Sequence, residues 1–230
     1  MTTICNNLEA VRTRISAACA AVGRDPAQVR LLAVSKTFDA AAVEEALASG
    51  QRAFGENYLQ EAAGKIDALT GREIEWHCIG PIQSNKTRLA AGSFDWVHSV
   101  DRLKIAERLS AQRPPDLPPL NICLQVNIDG GAFKSGVAPH ETAALAHAVA
   151  ALPSLRLRGI MTIPEPADGF EAQRAVHLRA RALFDELAAS GLPLDTLSMG
   201  MSGDLEAAIA AGSTLVRVGS AIFGGRAPRA

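Results

Sequence analysis

The sequence predicts an α/β fold, with eight strands closed into a (β/α)8 barrel of the TIM type and an extra helix ahead of the first strand. Three observations carry that expectation. Eight short apolar runs alternate with helix-like stretches along the chain. The runs lack strict apolar/polar alternation, as expected of strands buried on both faces. No G-x-G-x-x-G follows the first run, which counts against the runner-up, an open doubly wound sheet.

An amphipathic segment over residues 6–22 supplies the N-terminal helix. The expected strands are 29–36, 53–56, 75–80, 96–100, 121–128, 157–163, 196–200 and 215–219. Each is short, apolar and bounded by turn residues. Helices are expected over 40–49, 58–69, 85–91, 102–112, 140–152, 169–189 and 205–211. Asp39 and Asp101 stand where N-caps are needed, and Gly50 and Gly191 follow helix ends. The proline-rich run from Arg113 to Pro119 resembles an interdomain linker, but neither side of it completes a plausible fold alone. It reads as a stiff loop, and residues 1–230 as a single barrel domain.

Composition narrows the function. Of 230 residues, 48% are hydrophobic, enough for one large core without disulfides or metal. Twenty-three basic and 24 acidic residues give a net charge of -1 with no basic block, which disfavours nucleic-acid binding. Cys5, Cys19, Cys78 and Cys123 have no C-x-x-C spacing and read as free thiols. The N-terminus lacks secretory-signal features, and no stretch approaches the ~18 apolar residues of a membrane span. A reducing cytoplasm is the expected setting.

Lys36 is the most informative residue. It closes the apolar run Val29-Arg30-Leu31-Leu32-Ala33-Val34-Ser35 and precedes a turn. Strand C-termini face the ligand site in such barrels, where a half-buried amine can attack a carbonyl, so Lys36 is a Schiff-base candidate. The segments after strands seven and eight, around Ser202 and Gly219-Ser220, suit a phosphate: small hydroxyls, close backbone approach and a helix start expected at Ser202. An aldehyde-bearing phosphate meets both demands. Pyridoxal 5′-phosphate (PLP) is one, and Arg217, projecting inward from strand eight, could then hydrogen-bond its pyridine nitrogen while keeping that nitrogen unprotonated. A cofactor-independent aldolase using Lys36 on a phosphorylated sugar satisfies the same pattern.

The segments LLAVSK, FGENY-x-QE, WHCIGPIQSNK, GIMTI, LSMGMSGD-x-EAAI-x-AGST and VRVGSAIFG, in this order, resemble the pyridoxal phosphate homeostasis proteins, single-domain relatives of the alanine racemase N-terminal barrel. The resemblance implies that Lys36 carries PLP as a Schiff base, that Ser202, Gly219 and Ser220 surround its phosphate, and that Arg217 stands near the ring nitrogen. It further implies that Asn57, in the GEN motif, and Met161 lie beside the cofactor. Lys134 occupies a place where racemase relatives carry an arginine. Ser220 departs from a frequent threonine but keeps the hydroxyl.

The resembling racemases append a β-domain that supplies a second catalytic group across a dimer. After strand eight only residues 225–230 remain here, so no such domain is expected, and Tyr58, the one tyrosine, is a poor substitute at a helix start. Racemisation needs a proton donor and an acceptor on opposite faces of the α-carbon, and Lys36 can serve only one. The expectation is therefore a PLP-binding protein that buffers or delivers the cofactor, without robust turnover and with no catalytic residue. PLP-dependent apo-enzymes are its candidate recipients and a monomer its expected state. A PLP-dependent amino-acid racemase-like enzyme is the alternative. No metal site is expected, since His98, His140, His147 and His177 lack ligand spacing; His77 reads as a residue satisfying a buried hydrogen bond. A second, weaker cofactor site on surface lysines is compatible with the sequence.

Overall fold

The computed structural model describes residues 3–131 and 134–225. Ala132 and Phe133 of the loop after the fifth strand, and the C-terminal tail 226–230, lie outside the described residues. Eight strands, all parallel, form a closed barrel: β1 (Arg30–Val34), β2 (Ala53–Glu56), β3 (Glu75–Cys78), β4 (Trp96–Val100), β5 (Leu120–Val126), β6 (Leu155–Thr162), β7 (Thr196–Ser198) and β8 (Leu215–Val218). Pairing of β8 with β1, in the register Leu32 to Arg217, closes the ring. The helices are α1 (Thr3–Ala21), α2 (Ala40–Ala48), α3 (Leu59–Ala68), α4 (Thr87–Ser93), α5 (Leu103–Gln112), α6 (Thr142–Ala150), α7 (Phe170–Ala189), α8 (Leu205–Ala210) and α9 (Ser220–Phe223). Among the described residues, no helix is long and apolar enough to cross a membrane.

Burial explains the absence of alternation in the strands. One large core cluster joins strand and helix residues, such as Phe54, Val97, Ile105 and Leu109. Two smaller clusters hold no helical residue and fill the barrel's interior: Leu32, Ala53 and Leu215 with Ile79, and Trp96, Cys123 and Met161. Apolar side chains thereby occupy both faces of β1, β2, β4, β5, β6 and β8.

The structure differs from the expected boundaries mainly at strand C-termini. Ser35, Lys36, Gly80, Gly200 and Gly219 all leave the ladder, because the chain there turns to build loops at one mouth of the barrel. Asp39 caps α2 by accepting from the Ala42 amide at 3.0 Å. Asp101 caps nothing: the N-cap position of α5 is Arg102, and the Asp101 carboxylate instead accepts from that arginine's side chain. The proline-rich loop is pinned by Arg113, whose guanidinium donates to the carbonyls of Ala91, Phe94 and Pro118. That explains its stiffness, since one buried cation satisfies carbonyls from three points of the chain.

The N-terminal helix does more than extend the fold. α1 packs against α2, α8 and α9, straddling the seam where the barrel closes. Asn7 donates to Ile222 O at 2.8 Å, and Arg14 reaches both the Glu206 carboxylate and the Ser202 carbonyl.

Candidate functional site

A cavity of about 300 Å³ opens at the C-terminal mouth of the barrel. Lys36, Asn57, Ser202, Arg217, Gly219 and Ser220 line it, together with Val34, Phe38, Ile79, Ile163, Met201, Gly203 and Gly224. Six of the seven residues expected at the site are thus brought to one wall from β1, β2, β7 and β8.

Lys36 is half-buried and held in a tight turn. On one side, Ser35 is clamped: its amide donates to Gly55 O at 3.0 Å, its hydroxyl to Glu56 Oε1 at 2.6 Å, and its carbonyl accepts from Lys65 Nζ at 2.7 Å. On the other side, Thr37 adopts φ +70° and gives its amide to Glu61 Oε1 at 2.6 Å. Lys65 completes the frame by donating to Glu56 at 2.7 Å and Glu61 at 2.8 Å. Glu56 is fully buried, and burial raises its carboxyl pKa against the opposing pull of Lys65 and Ser35. Sequence reasoning missed this frame. Glu56 and Glu61 lie in the quoted FGENY-x-QE segment, but the lysine nine residues after Glu56 gives no local signal that it turns inward.

Asn57 follows β2, and its side-chain oxygen is buried with no hydrogen-bond partner among the described residues. Its backbone is held by Gly80, where a Cβ would stand 2.1 Å from Asn57 O. Only glycine lets the two loops meet there.

The anionic end of a ligand would meet two loops. Ser202 and Ser220 place their hydroxyl oxygens 3.5 Å apart. Gly219 lies close to β1, with room for a Cβ only 3.1 Å from Val34 O, and it leads into α9, whose first amides have no partner within the helix. Ser202 does not start α8 as expected. The N-cap position is Asp204, and Ser202 sits earlier in the turn, where its carbonyl is held by Arg14. Asp204 ties that turn together: Oδ1 accepts from Met201 N at 2.6 Å and Oδ2 bonds His177 Nε2 at 2.9 Å. Burial raises the Asp204 pKa, but these bonds prevail and hold it below the ordinary range.

Arg217 is 4% exposed. It donates to Ser198 Oγ and Thr162 O, both at 2.8 Å, and two of its five N–H groups are used this way. Burial lowers its pKa to about 10, which leaves it cationic at neutral pH.

Residues 6–227 match the family model of the alanine racemase N-terminal domain. A Pseudomonas aeruginosa protein named pyridoxal phosphate homeostasis protein is 62% identical over 226 residues, covering 98% of this chain and 97% of that one. The Escherichia coli protein of the same name is 53% identical over 231 residues, covering 98% of each. The chain belongs to the pyridoxal phosphate homeostasis protein family. PipY of Synechococcus elongatus, solved with PLP bound, is 38% identical, superposes with a TM-score of 0.83 and covers 96% of this chain and 100% of that one.

Within this family fold, two of the residues picked out from sequence lie away from the cavity wall. Met161 does not line the cavity: it is fully buried against Trp96 and Cys123 inside the barrel, because its position on β6 points inward and its flexible thioether fills the interior. The β6 end is represented instead by Ile163. Lys134 does not line the cavity either. It donates to Asp129 Oδ2 and Ile163 O, each at 3.0 Å, and pairs with Glu165 at 3.1 Å, bracing the loops after β5 and β6.

Proposed function

We propose that this protein binds PLP at Lys36 and serves intracellular PLP homeostasis by buffering or delivering the cofactor, without robust turnover of its own. The observation that carries the reading is the composition of the cavity wall, where one lysine, two facing serine hydroxyls, a close-approach glycine and a buried arginine converge. The names of the relatives and the PLP held by PipY support the same cofactor.

The residues fit the group. The cofactor, when bound, supplies an aldehyde that condenses reversibly with an amine and a phosphate ester that anchors it. Lys36 supplies the amine, presented by a turn clamped on both sides. Ser202, Ser220 and the backbone at Gly219 receive the phosphate, with the Arg14 bond to Ser202 O steadying the turn. Arg217 meets the ring nitrogen as a donor that keeps its proton. The buried, unpartnered oxygen of Asn57 awaits a donor from a ligand or water.

The low expected turnover rests on what else faces the cavity. Among the described residues lining it, Lys36 is the one amine, and no carboxyl, imidazole, thiol or phenol joins it, Tyr58 included. Abstracting a proton from one face of a substrate carbon and returning it to the other requires a second such group. A cytoplasmic setting belongs to the same reading, supported by the thiols of Cys19, Cys78 and Cys123 buried in the fold.

The test is the visible absorption spectrum of purified protein titrated with PLP, beside Lys36→Ala, followed by borohydride reduction and peptide mapping. A new absorption band that is lost in the variant, with the reduced adduct on Lys36, supports the reading. An unmodified Lys36 overturns it. Sustained solvent exchange of an amino acid's α-hydrogen by the loaded protein would overturn the non-enzymatic part alone.

A further inference from the structure

A row of polar side chains crosses the inside of the barrel, and beyond its first member, Arg217, none of it lines the cavity. Arg217 Nη1 donates to Ser198 Oγ at 2.8 Å. Ser198 Oγ lies 3.2 Å from His98 Nδ1, His98 Nε2 lies 2.9 Å from His77 Nδ1, and His77 Nε2 lies 2.6 Å from Glu75 Oε1. Ser198, His98 and His77 are fully buried. Glu75 is the first residue of β3, so the row starts at the ligand mouth and ends at the opposite mouth, where Glu75 also pairs with Arg30 of β1.

Full burial of both imidazoles disfavours their charged forms, and with both rings neutral the carboxylate end fixes every proton along the row. A guanidinium can only donate and an ionised carboxylate can only accept. Ser198 Oγ accepts from Arg217 and gives its own hydrogen to His98 Nδ1, the bare nitrogen of a neutral ring whose proton is on Nε2. His98 then carries its proton on Nε2 and gives it to His77 Nδ1. His77 in turn carries its proton on Nε2 and gives it to Glu75. All four bonds point the same way, and both rings are neutral. The surroundings agree: His77 stacks on Trp96 with ring centroids 5.3 Å apart and planes 12° apart, and Arg30 and Arg158 sit against Trp96 and are paired with Glu75 and Asp195.

We propose that His98, acting through Ser198, is a positioning residue for Arg217, and that Arg217, Ser198, His98, His77 and Glu75 form a one-directional hydrogen-bond chain that aims the guanidinium into the cavity. Among the described residues, the oxygens to which Arg217 donates, Ser198 Oγ and Thr162 O, are both neutral. The chain gives it an anionic terminus at the far mouth without a carboxylate hydrogen-bonded to the guanidinium itself, which would absorb the donor that a ligand needs. If His98 carried its proton on Nδ1 instead, Ser198 would accept from both sides, its own hydrogen would lose this acceptor, and the hydroxyl would no longer be oriented by the chain.

The consequence for a bound ring nitrogen rests on the PLP reading; the proton arrangement does not. Long-range 1H–15N NMR of cofactor-free protein, with His77→Gln and His98→Gln for assignment, reads the tautomers directly. Both rings neutral with the proton on Nε2 is the result expected. A proton on Nδ1 of His98, or a doubly protonated His77 at neutral pH, overturns the chain. The second arm compares PLP binding and the bound-cofactor absorption spectrum in His98→Leu, which removes the acceptor, and His98→Gln, which can still accept from Ser198 and donate to His77. Loss of about tenfold in affinity with a displaced absorption maximum in His98→Leu, largely restored in His98→Gln, is expected for one lost buried hydrogen bond. Identical spectra and affinities in wild type and His98→Leu overturn the positioning role. Failure of wild type to take up PLP would sink the proposed function while leaving the NMR result standing.

Discussion

The Thr37 amide donates to Glu61 Oε1 at 2.6 Å, and this bond ties the residue after Lys36 to the first turn of α3. Thr37 has φ +70°, a left-handed value that costs a β-branched residue ~1–2 kcal/mol. The strain sits one residue from the amine that the cavity needs, and a charge-assisted hydrogen bond holds it in place.

Two substitutions separate the strain from the bond. Both Thr37→Gly and Thr37→Ala remove the hydroxyl and γ-methyl, but alanine keeps the Cβ and only glycine accepts a left-handed φ freely. Thr37→Gly is therefore expected to be more stable than Thr37→Ala by about 1 kcal/mol in urea unfolding. Equal stabilities would mean the turn relaxes out of the left-handed region. Glu61→Ala leaves the Thr37 amide unpaired and removes one Lys65 partner, with an expected loss of about 1–3 kcal/mol and weaker PLP labelling of Lys36.

Lys65→Met tests the frame beneath the turn. Lys65 is 5% exposed and Glu56 fully buried, so removing the cation strands a carboxylate in the core, at an expected cost of about 3–5 kcal/mol at neutral pH. Burial already raises the Glu56 pKa, and losing Lys65 raises it further. A folded-state carboxyl pKa above the unfolded value means that folding takes up a proton, so the penalty shrinks as pH falls. Unfolding curves at pH 7 and pH 5.5 should show a smaller deficit at the lower pH. Adding Glu56→Gln should recover more than half of it at pH 7; a double variant no better than Lys65→Met would show that the charge is not the problem.

How far these features could be read in advance depends on how local they are. Lys36, Gly219, Ser220 and Arg217 were legible because each stands at or near the end of an apolar run, and a barrel sends those ends to one mouth. Lys65 was not, because a lysine on a helix defaults to solvent, and only the buried Glu56 across the β2–α3 connection turns it inward. The pairing of His77 with His98 and of His98 with Ser198 depends on the register of strands β3, β4 and β7 around the closed ring, which no local pattern encodes. Met161 was placed by motif position, but its side-chain direction follows from the inward phase of β6. α9 has four residues, too few to show a helical period.

Gly80→Ala should act on Asn57 through the backbone. A Cβ at position 80 would stand 2.1 Å from Asn57 O and 2.7 Å from Asn57 Cα, and neither atom belongs to a side chain that could swing aside. The two loops must separate, at an expected cost of more than about 2 kcal/mol. Gly64→Ala, on α3 with open space around its Cβ position, is the matched control and should be neutral or stabilising. A thermal scan showing the same shift for both would remove the packing argument.

The last expectation concerns acid. Burial raises the Glu75 pKa, yet the bond from His77 and the charge of Arg30 outweigh it and bring the carboxyl down to about 2. Its unfolded value is about 4.3. A carboxyl depressed on folding contributes stability that is present above the unfolded value and lost as pH falls through the folded one, so the contribution fades from about pH 5 toward pH 2. Solvent screening limits it, since the Glu75 side chain is 35% exposed, and ~1 kcal/mol is the expected size. Glu75→Gln keeps the shape and an acceptor but not the charge. The difference in unfolding free energy between wild type and Glu75→Gln should therefore be greatest near neutrality and narrow steadily through that acid range. A difference that stays constant with pH would mean that Glu75 acts at the foot of the barrel as a hydrogen-bond acceptor alone, and that the anionic terminus of the buried row contributes nothing through its charge.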